Sequence, residues 1–485
     1  MRDGIFAVMN VILRLSFYAA MLLVVPVLKL QAQQQIRVAC LGASITHGSL
    51  LKNPARESFP AQLQTALGER YAVTNYGVPG ATLLKRGDLP YHKTKEYQQA
   101  LHSNPNLVII DLGGNDSKLI NRIYLDAYEA DYREMIAACR ALPSKPRIIL
   151  LLPVPSFVTD SAGIWDPVIV NRIIPRVRNV AFTEKVEVLD LHALLIDKPD
   201  LFPDKIHPNL EGTTLMAKKI EAVIRQARDV GFNLPERMKV EGKIESYHGY
   251  ECVVFTWKGR DCKIVKPKLA NKEHRWIWRA RFWGHEPQTE IALLELGFHV
   301  VYCDVAELLG NKEAVDTWNA FYDMLAQGGL HKKAVMEGMS RGAVYVYNWA
   351  AENPTRVACV YVDNPLLDLR WWPARQYREN APDKTEWEAF KKNYGFSTDA
   401  EALVARVGPI DKVPQIVRGN YPMLHVCGDA DEAVPIETNT LLFAEKVRAV
   451  KGNITVLIKP GFKHHPHSLP NPTPIVDFVL ASMEK

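Results

Sequence analysis

Asp204 and His207 stand three residues apart in Asp204-Lys205-Ile206-His207-Pro208, a spacing that lets a single turn aim both side chains the same way. A carboxylate held against an imidazole orients the ring and equips it to act as a base. Ser44, in Gly42-Ala43-Ser44-Ile45-Thr46, supplies a hydroxyl for such a base to activate. Two more blocks offer hydrogen-bond donors to a developing oxyanion. Gly80 closes Asn75-Tyr76-Gly77-Val78-Pro79-Gly80 with a backbone N–H that no side chain obstructs, and Asn115 offers a side-chain N–H in Gly113-Gly114-Asn115-Asp116. Together these are the parts of acyl transfer through a serine. Taken singly each has a plainer role, Ser44 as a helix cap, Asn115 in a turn and His207 on the surface.

A second set lies further along the chain. Gly338-Met339-Ser340-Arg341-Gly342 has the form G-x-S-x-G, which lifts a serine out of a sheet when it joins a strand to a helix. Asp431 and His464 follow, giving the order serine, acid, histidine; Asp363 is a rival acid. The backbone N–H of Arg341 is one expected oxyanion donor, and the other is sought in the turn after Trp278, near Arg279-Ala280-Arg281. His464, His465 and His467 also read as a short metal-binding tract, but no carboxylate or cysteine pattern accompanies them. No metal and no cofactor are expected.

Positioning such residues requires an α/β framework. Short apolar runs at Val38–Leu41, Asn106–Leu112, Ile148–Pro153 and Val186–Leu191 alternate with amphipathic stretches, Pro60–Leu67 and Gly212–Ala227 among them. Alternation of this kind implies a parallel sheet covered on both faces, with ligands beyond the carboxyl ends of the strands. The second half reads as a strand hairpin over Ile244–Pro267, strands at Arg275–Trp278, His299–Asp304, Val357–Val362, Met423–Cys427 and Thr455–Ile458, and helices at Pro287–Gly297, Val315–Ala326 and Ala343–Glu352. The pattern lapses between Asp229 and Glu241, and only Trp165 of the ten tryptophans lies before that point. Residues 229–241 are therefore the expected linker.

The four N-terminal blocks, in the order Ser, Gly, Asn, His, resemble those of the SGNH (GDSL-type) hydrolases over about residues 36–228. The resemblance implies a flavodoxin-like three-layer sandwich with Ser44 as nucleophile, Asp204 and His207 as its partners, and Gly80, Asn115 and the Ser44 amide as oxyanion donors. Ala43 departs from the family, which usually has Asp beside the serine. Residues 242–485 resemble the α/β-hydrolase superfamily, and the whole is similar to bimodular bacterial carbohydrate esterases. There the pattern G-x-x-D selects Asp431 over Asp429, and G-x-x-H selects His464 over His465 and His467.

Residues 366–419 form an insertion between the strands that would carry the serine and the acid. An insertion at that place roofs the active site. Trp371 and Trp372 would stack on sugar or glue the cap to the core, and Arg279, Arg281 and Arg341 would receive a substrate carboxylate or simply be solvated.

Composition narrows the partners. With 485 residues, 47% hydrophobic and 23% charged, the chain is neither disordered nor a multi-span membrane protein. A net charge of +5 without a dense Lys/Arg run excludes a nucleic-acid footprint. Residues 1–32 have Arg2 and Arg14 before an apolar stretch from Leu15 to Val27 and end in Leu30-Gln31-Ala32, as in a secretory signal peptide; an uncleaved anchor helix is the alternative. The expectation is an exported protein, periplasmic or secreted, with no stable membrane insertion after cleavage. Seven cysteines, most in apolar runs, read as core thiols, and Cys252 and Cys262 are expected to be free as well. The expected activity is a bifunctional serine esterase acting on an acylated carbohydrate. Its rivals are a prolyl-oligopeptidase-like peptidase in the second half, or one half turned into a binding module.

Overall fold

A computed structural model describes residues 35–483, so the expected signal segment lies outside the described residues. The first half is built on five parallel strands, β1 (Ile36–Gly42), β2 (Tyr71–Gly77), β3 (Leu107–Asp111), β4 (Arg147–Leu152) and β5 (Glu187–Asp190), in the order β2-β1-β3-β4-β5. That is the flavodoxin-like order. Leu107-Val108-Ile109-Ile110-Asp111 is buried at every position, the unbroken apolar run that a parallel strand covered on both faces requires. The helix Leu210–Arg225 is capped by the Asn209 side chain, which accepts from the Gly212 amide. It lays Met216, Ala217, Ile220, Val223 and Ile224 against the sheet. Because β1 pairs with β2 on one side and β3 on the other, the segments leaving β1 and β3 diverge and open a crevice. Ser44 follows β1 and Asn115 follows β3.

A two-residue pair, β6 (Arg228–Asp229) with β10 (Ala270–Asn271), follows the first sheet. Phe232 and Leu234 are buried in the second core. The stretch expected as a linker is thus packed, because Phe232 and Leu234, with Met238 and Val240 beside them, find the second core within reach.

The second half has nine strands: β7 (Lys243–Tyr247), β8 (Tyr250–Trp257), β9 (Arg260–Lys266), β11 (Trp276–Ala280), β12 (His299–Cys303), β13 (Ala334–Met339), β14 (Val357–Asp363), β15 (Met423–Gly428) and β16 (Ile454–Lys459). Their order is β16-β15-β14-β13-β11-β12-β9-β8-β7. β11 to β16 run parallel, and β9, β8 and β7 continue antiparallel to the edge. This is an α/β-hydrolase sheet with an added edge strand. The expected single hairpin at 244–267 is a three-stranded meander, because His248-Gly249 turns the chain once more. Cys252 pairs with Val265, whereas Cys262 pairs with Cys303. All seven cysteines are free and buried.

The two halves share a core. Val177 and Val188 join Tyr250, Val265, Ala292 and Leu293 in one apolar cluster. Tyr250 Oη donates to the Val188 carbonyl at 3.3 Å, and Lys219 of the first half pairs with Glu295 of the second at 2.6 Å. Among the described residues no helix is long and apolar enough to cross a membrane.

Candidate active sites

Ser44 opens a four-residue helix directly after β1. Its Oγ lies 2.8 Å from His207 Nε2, and His207 Nδ1 lies 2.6 Å from Asp204 Oδ2. The other oxygen, Asp204 Oδ1, accepts from the amides of Ile206 (3.0 Å) and His207 (2.7 Å). Partial burial alone would raise the Asp204 pKa, but the His207 ring and these two amides outweigh it and hold the carboxyl below its usual range. The three-residue spacing therefore gives one turn in which the acid is fixed by the backbone and the base by the acid.

Ser44 and Asn115 line one small cleft of about 30 Å³ with Asp111, Pro153, Val154 and Ile206. Asn115 Nδ2 donates to the Ala81 carbonyl at 3.1 Å, which ties the third block to the residue after Gly80. Gly80 itself has φ +85°, a left-handed conformation that suits glycine. Two groups to which the sequence reading gave no role hold this arrangement. Asp116 accepts from the Leu83 and Leu84 amides at 3.1 and 2.8 Å, and Asn121 donates to the Asn115 carbonyl at 2.9 Å. Asp116 is fully buried, and burial pushes its carboxyl up to about 6.

Ser340 sits between β13 and the helix Gly342–Glu352 with φ 49°, the strained turn expected of this motif. A Cβ at Gly342 would meet the Ala280 carbonyl oxygen at 2.6 Å, and one at Gly338 would meet the Gly342 backbone at 2.8 Å. Both positions must be glycine for the strand, turn and helix to close. Ser340 Oγ lies 3.0 Å from His464 Nε2, and His464 Nδ1 lies 2.7 Å from Asp431 Oδ2. Asp431 Oδ1 accepts from the Ala433 and Val434 amides, both at 2.9 Å. The rival acid Asp363 is turned away. It is paired with Lys459 at 3.2 Å, accepts from the Ser468 amide at 2.9 Å, and is pushed up to about 7 by burial.

Around Ser340 opens a cavity of about 550 Å³ lined by Phe282, His285, Arg341, Trp372, Glu386, His464, His465 and His467, among others. Several substrate-binding expectations need correction here. Arg279 is fully buried beneath the site, paired with Glu290 at 2.8 Å and Glu337 at 3.3 Å, because its strand faces the interior. Burial pushes the carboxyls of both Glu290 and Glu337 up, while the Arg279 guanidinium pulls them back. Arg281 donates to the Ala306 carbonyl and to Tyr345 Oη, and is not among the cavity-lining residues. Trp371 likewise turns away, its Nε1 donating to the Ala433 carbonyl at 3.2 Å, and serves as glue. Trp372 does face the cavity, with the Arg341 guanidinium 4.6 Å from its ring centre.

Sequence reasoning missed Phe282 and His285. Phe282 belongs to a turn in which Arg281 and Phe282 both have positive φ, 62° and 49°, and it lines the same cavity as Ser340. The signal was the Trp283-Gly284-His285 run that follows, where glycine marks a tight reversal.

Residues 40–215 match the model of the GDSL-like Lipase/Acylhydrolase family. An acetylxylan esterase of Xylanibacter ruminicola is 39% identical over 211 residues, covering 40% of this chain and 44% of that protein. The chain thus spans less than half the length of that curated relative. An S-formylglutathione hydrolase from Agrobacterium tumefaciens superposes at 15% identity over 50% of this chain and 98% of its own, with TM-score 0.38. Est1E from Butyrivibrio proteoclasticus does so at 21% identity over 48% and 99%, with TM-score 0.35. The segment that carries Ser44, Gly80, Asn115, Asp204 and His207 is thus the part of the chain similar to the GDSL-like Lipase/Acylhydrolase family.

Proposed function

We propose that the chain is an exported carbohydrate esterase with two independent Ser-His-Asp sites that remove acyl groups, acetyl above all, from plant polysaccharide or oligosaccharide. The observation that carries this reading is the presence of two complete hydrogen-bonded sets, Ser44–His207–Asp204 and Ser340–His464–Asp431. The identity shared with an acetylxylan esterase supports the substrate class.

At the first site His207 Nε2 takes the Ser44 proton as Oγ attacks the ester carbonyl carbon. The oxyanion accepts from the Ser44 and Gly80 amides and from Asn115 Nδ2. The imidazolium, stabilised by Asp204, gives its proton to the departing sugar oxygen. Water then repeats the sequence on the acyl-serine, releasing the acid and restoring Ser44. Room of only about 30 Å³ beside Ser44 suits a short acyl group such as acetyl. At the second site Ser340, His464 and Asp431 take the same roles. The Arg341 amide and the backbone of the 281–282 turn receive the oxyanion, and the larger cavity admits a bulkier ester.

The test is acetate release from acetylated xylan, together with fluorophosphonate labelling, in wild type, Ser44→Ala, Ser340→Ala and the double variant. Each single variant should keep the other serine's labelling and part of the release, and the double variant should lose both. Full release by the double variant overturns the mechanism. Release of aminoacyl groups from peptides without ester hydrolysis would favour a peptidase in the second half.

A further inference from the structure

We propose that His285, His465 and His467 form a binding site for a divalent first-row transition metal of the zinc class at the wall of the Ser340 cavity. Each presents a ring nitrogen, and the three nitrogens lie within 4.8 Å of one another. All three residues line the cavity that holds Ser340. Read along the chain, the tract His464-His465-Pro466-His467 offers no sufficient ligand set, since His464 is committed to Asp431 and Ser340. The fold completes the set with a residue 182 positions away from His467: His285 Nε2 stands 3.3 Å from His467 Nδ1. The rings of His465 and His467 lie edge to face with centres 4.6 Å apart, and those of His285 and His467 5.4 Å apart.

The donor chemistry selects the metal. Imidazole nitrogen suits zinc, copper and nickel, whereas calcium and magnesium require oxygen ligands. The group contains no carboxylate. His467 is buried, so its ring is held in place at the cavity wall with Nδ1 turned towards His285. His285 and His465 are exposed, which leaves an entry path for the ion. Three imidazoles fill three positions of a tetrahedral site and leave the fourth for water or for an oxygen of a molecule in the cavity. The site is distinct from the proton path proposed at Ser340, in which the base is His464.

The probe is Zn²⁺ added to chelator-stripped full-length protein, with affinity read by competition against a chromophoric chelator. One ion per chain is expected, and His285→Ala and His467→Ala should each weaken it at least tenfold. Co²⁺ should give the wild type the intense visible absorption of a tetrahedral site, a readout that needs no variant to fold. Fluorophosphonate labelling of Ser340 reports the serine chemistry separately, so the two readings fail independently. No stoichiometric Zn²⁺ binding by the wild type, binding unchanged in both variants, or a Co²⁺ spectrum of six-coordinate type each overturns the site.

Discussion

Arg279 Nη2 donates to the carbonyl of His285 at 2.5 Å. The same guanidinium reaches the carbonyls of Arg281 and Phe282 at 3.1 and 3.0 Å, so one buried cation ties the whole 281–285 turn to the strand beside Ser340. Its charge is met by Glu290 and by the raised acid Glu337 below it. Arg279 is thus a positioning residue for the turn that lines the cavity.

Arg279→Met should remove these bonds and leave Glu290 buried without a counter-ion. The expected cost is about 3–5 kcal/mol of stability, and fluorophosphonate labelling of Ser340 should slow while that of Ser44 is retained. Where the folded fraction is matched by denaturant titration, labelling of Ser340 at the wild-type rate would contradict this role.

The two candidate acids of the second half should separate by kinetics. Asp431→Asn breaks the orientation of His464 and should lower the rate at Ser340 by about 10⁴-fold. Asp363 touches Lys459, the Ser468 amide and Tyr361 but not His464. Asp363→Asn should mainly lower stability, through loss of the Lys459 pair. Single-turnover acylation in a Ser44→Ala background measures this, and equal losses of rate in the two variants would reverse the assignment.

Acid should weaken the second half through His425. Its ring is fully buried between Tyr347 Oη at 2.6 Å and Thr440 Oγ1 at 3.1 Å, and burial pushes its pKa down to about 3. The unfolded ring titrates near 6.5. Between these values the unfolded chain binds one more proton, so the stability is complete above about pH 6.5 and is lost as pH falls towards 3. The slope is about 1.4 kcal/mol per pH unit. His299, also pushed to about 3 by burial, contributes a second proton. His425→Leu should be less stable at pH 7 but should show a shallower decline, by one proton, between pH 6 and 4. Tryptophan emission during denaturant unfolding reads this half almost alone, since nine of the ten tryptophans follow residue 165. Parallel pH profiles for variant and wild type would refute the account.

Glu295 joins the halves through two contacts at once, accepting from the Asp190 amide at 2.6 Å and pairing with Lys219 at 2.6 Å. Its side chain is 3% exposed. Glu295→Ala strands the amide and the ammonium, at an expected cost of about 1–3 kcal/mol. The loss should appear as faster proteolytic cleavage near residues 228–242, and unchanged cleavage would show that the apolar cluster alone holds the halves.

The chemistry was legible where it depends on neighbours in sequence. Asp204-x-x-His207 and Gly338-x-Ser340-x-Gly342 contain their own geometry, because one turn sets each. The sheet strands were legible because β3 and β14 are buried throughout and read as apolar runs up to a terminal aspartate. What escaped depends on distant partners. Arginine at 279 looks solvent-seeking until Glu290 and Glu337 are brought beneath it. The histidine tract looked too short to make a cluster because His285, which the fold places 3.3 Å from His467, lies far away in sequence. Residues 229–241 looked like a linker because Phe232 and Leu234 are sparse, and only the fold shows the core that takes them in.

The charge facing the Ser340 cavity follows from the same long-range pairing. Of the three arginines expected to greet an acidic glycan, only Arg341 lines the cavity, and its Nη1 is held by Glu386 at 2.6 Å. The pair is about a third exposed or less on each side, so a substrate carboxylate must displace Glu386 to reach the guanidinium. A neutral ester should therefore be turned over at Ser340 at least as well as its carboxylate-bearing counterpart. Glu386→Gln frees Arg341 and should raise kcat/KM for the anionic ester by about fivefold, the equivalent of ~1 kcal/mol for a partly exposed ion pair. The neutral ester should be nearly unaffected. Matched neutral and anionic aryl esters assayed in a Ser44→Ala background give the comparison, and an anionic preference already present in the wild type would mean that Glu386 does not govern the charge of this site.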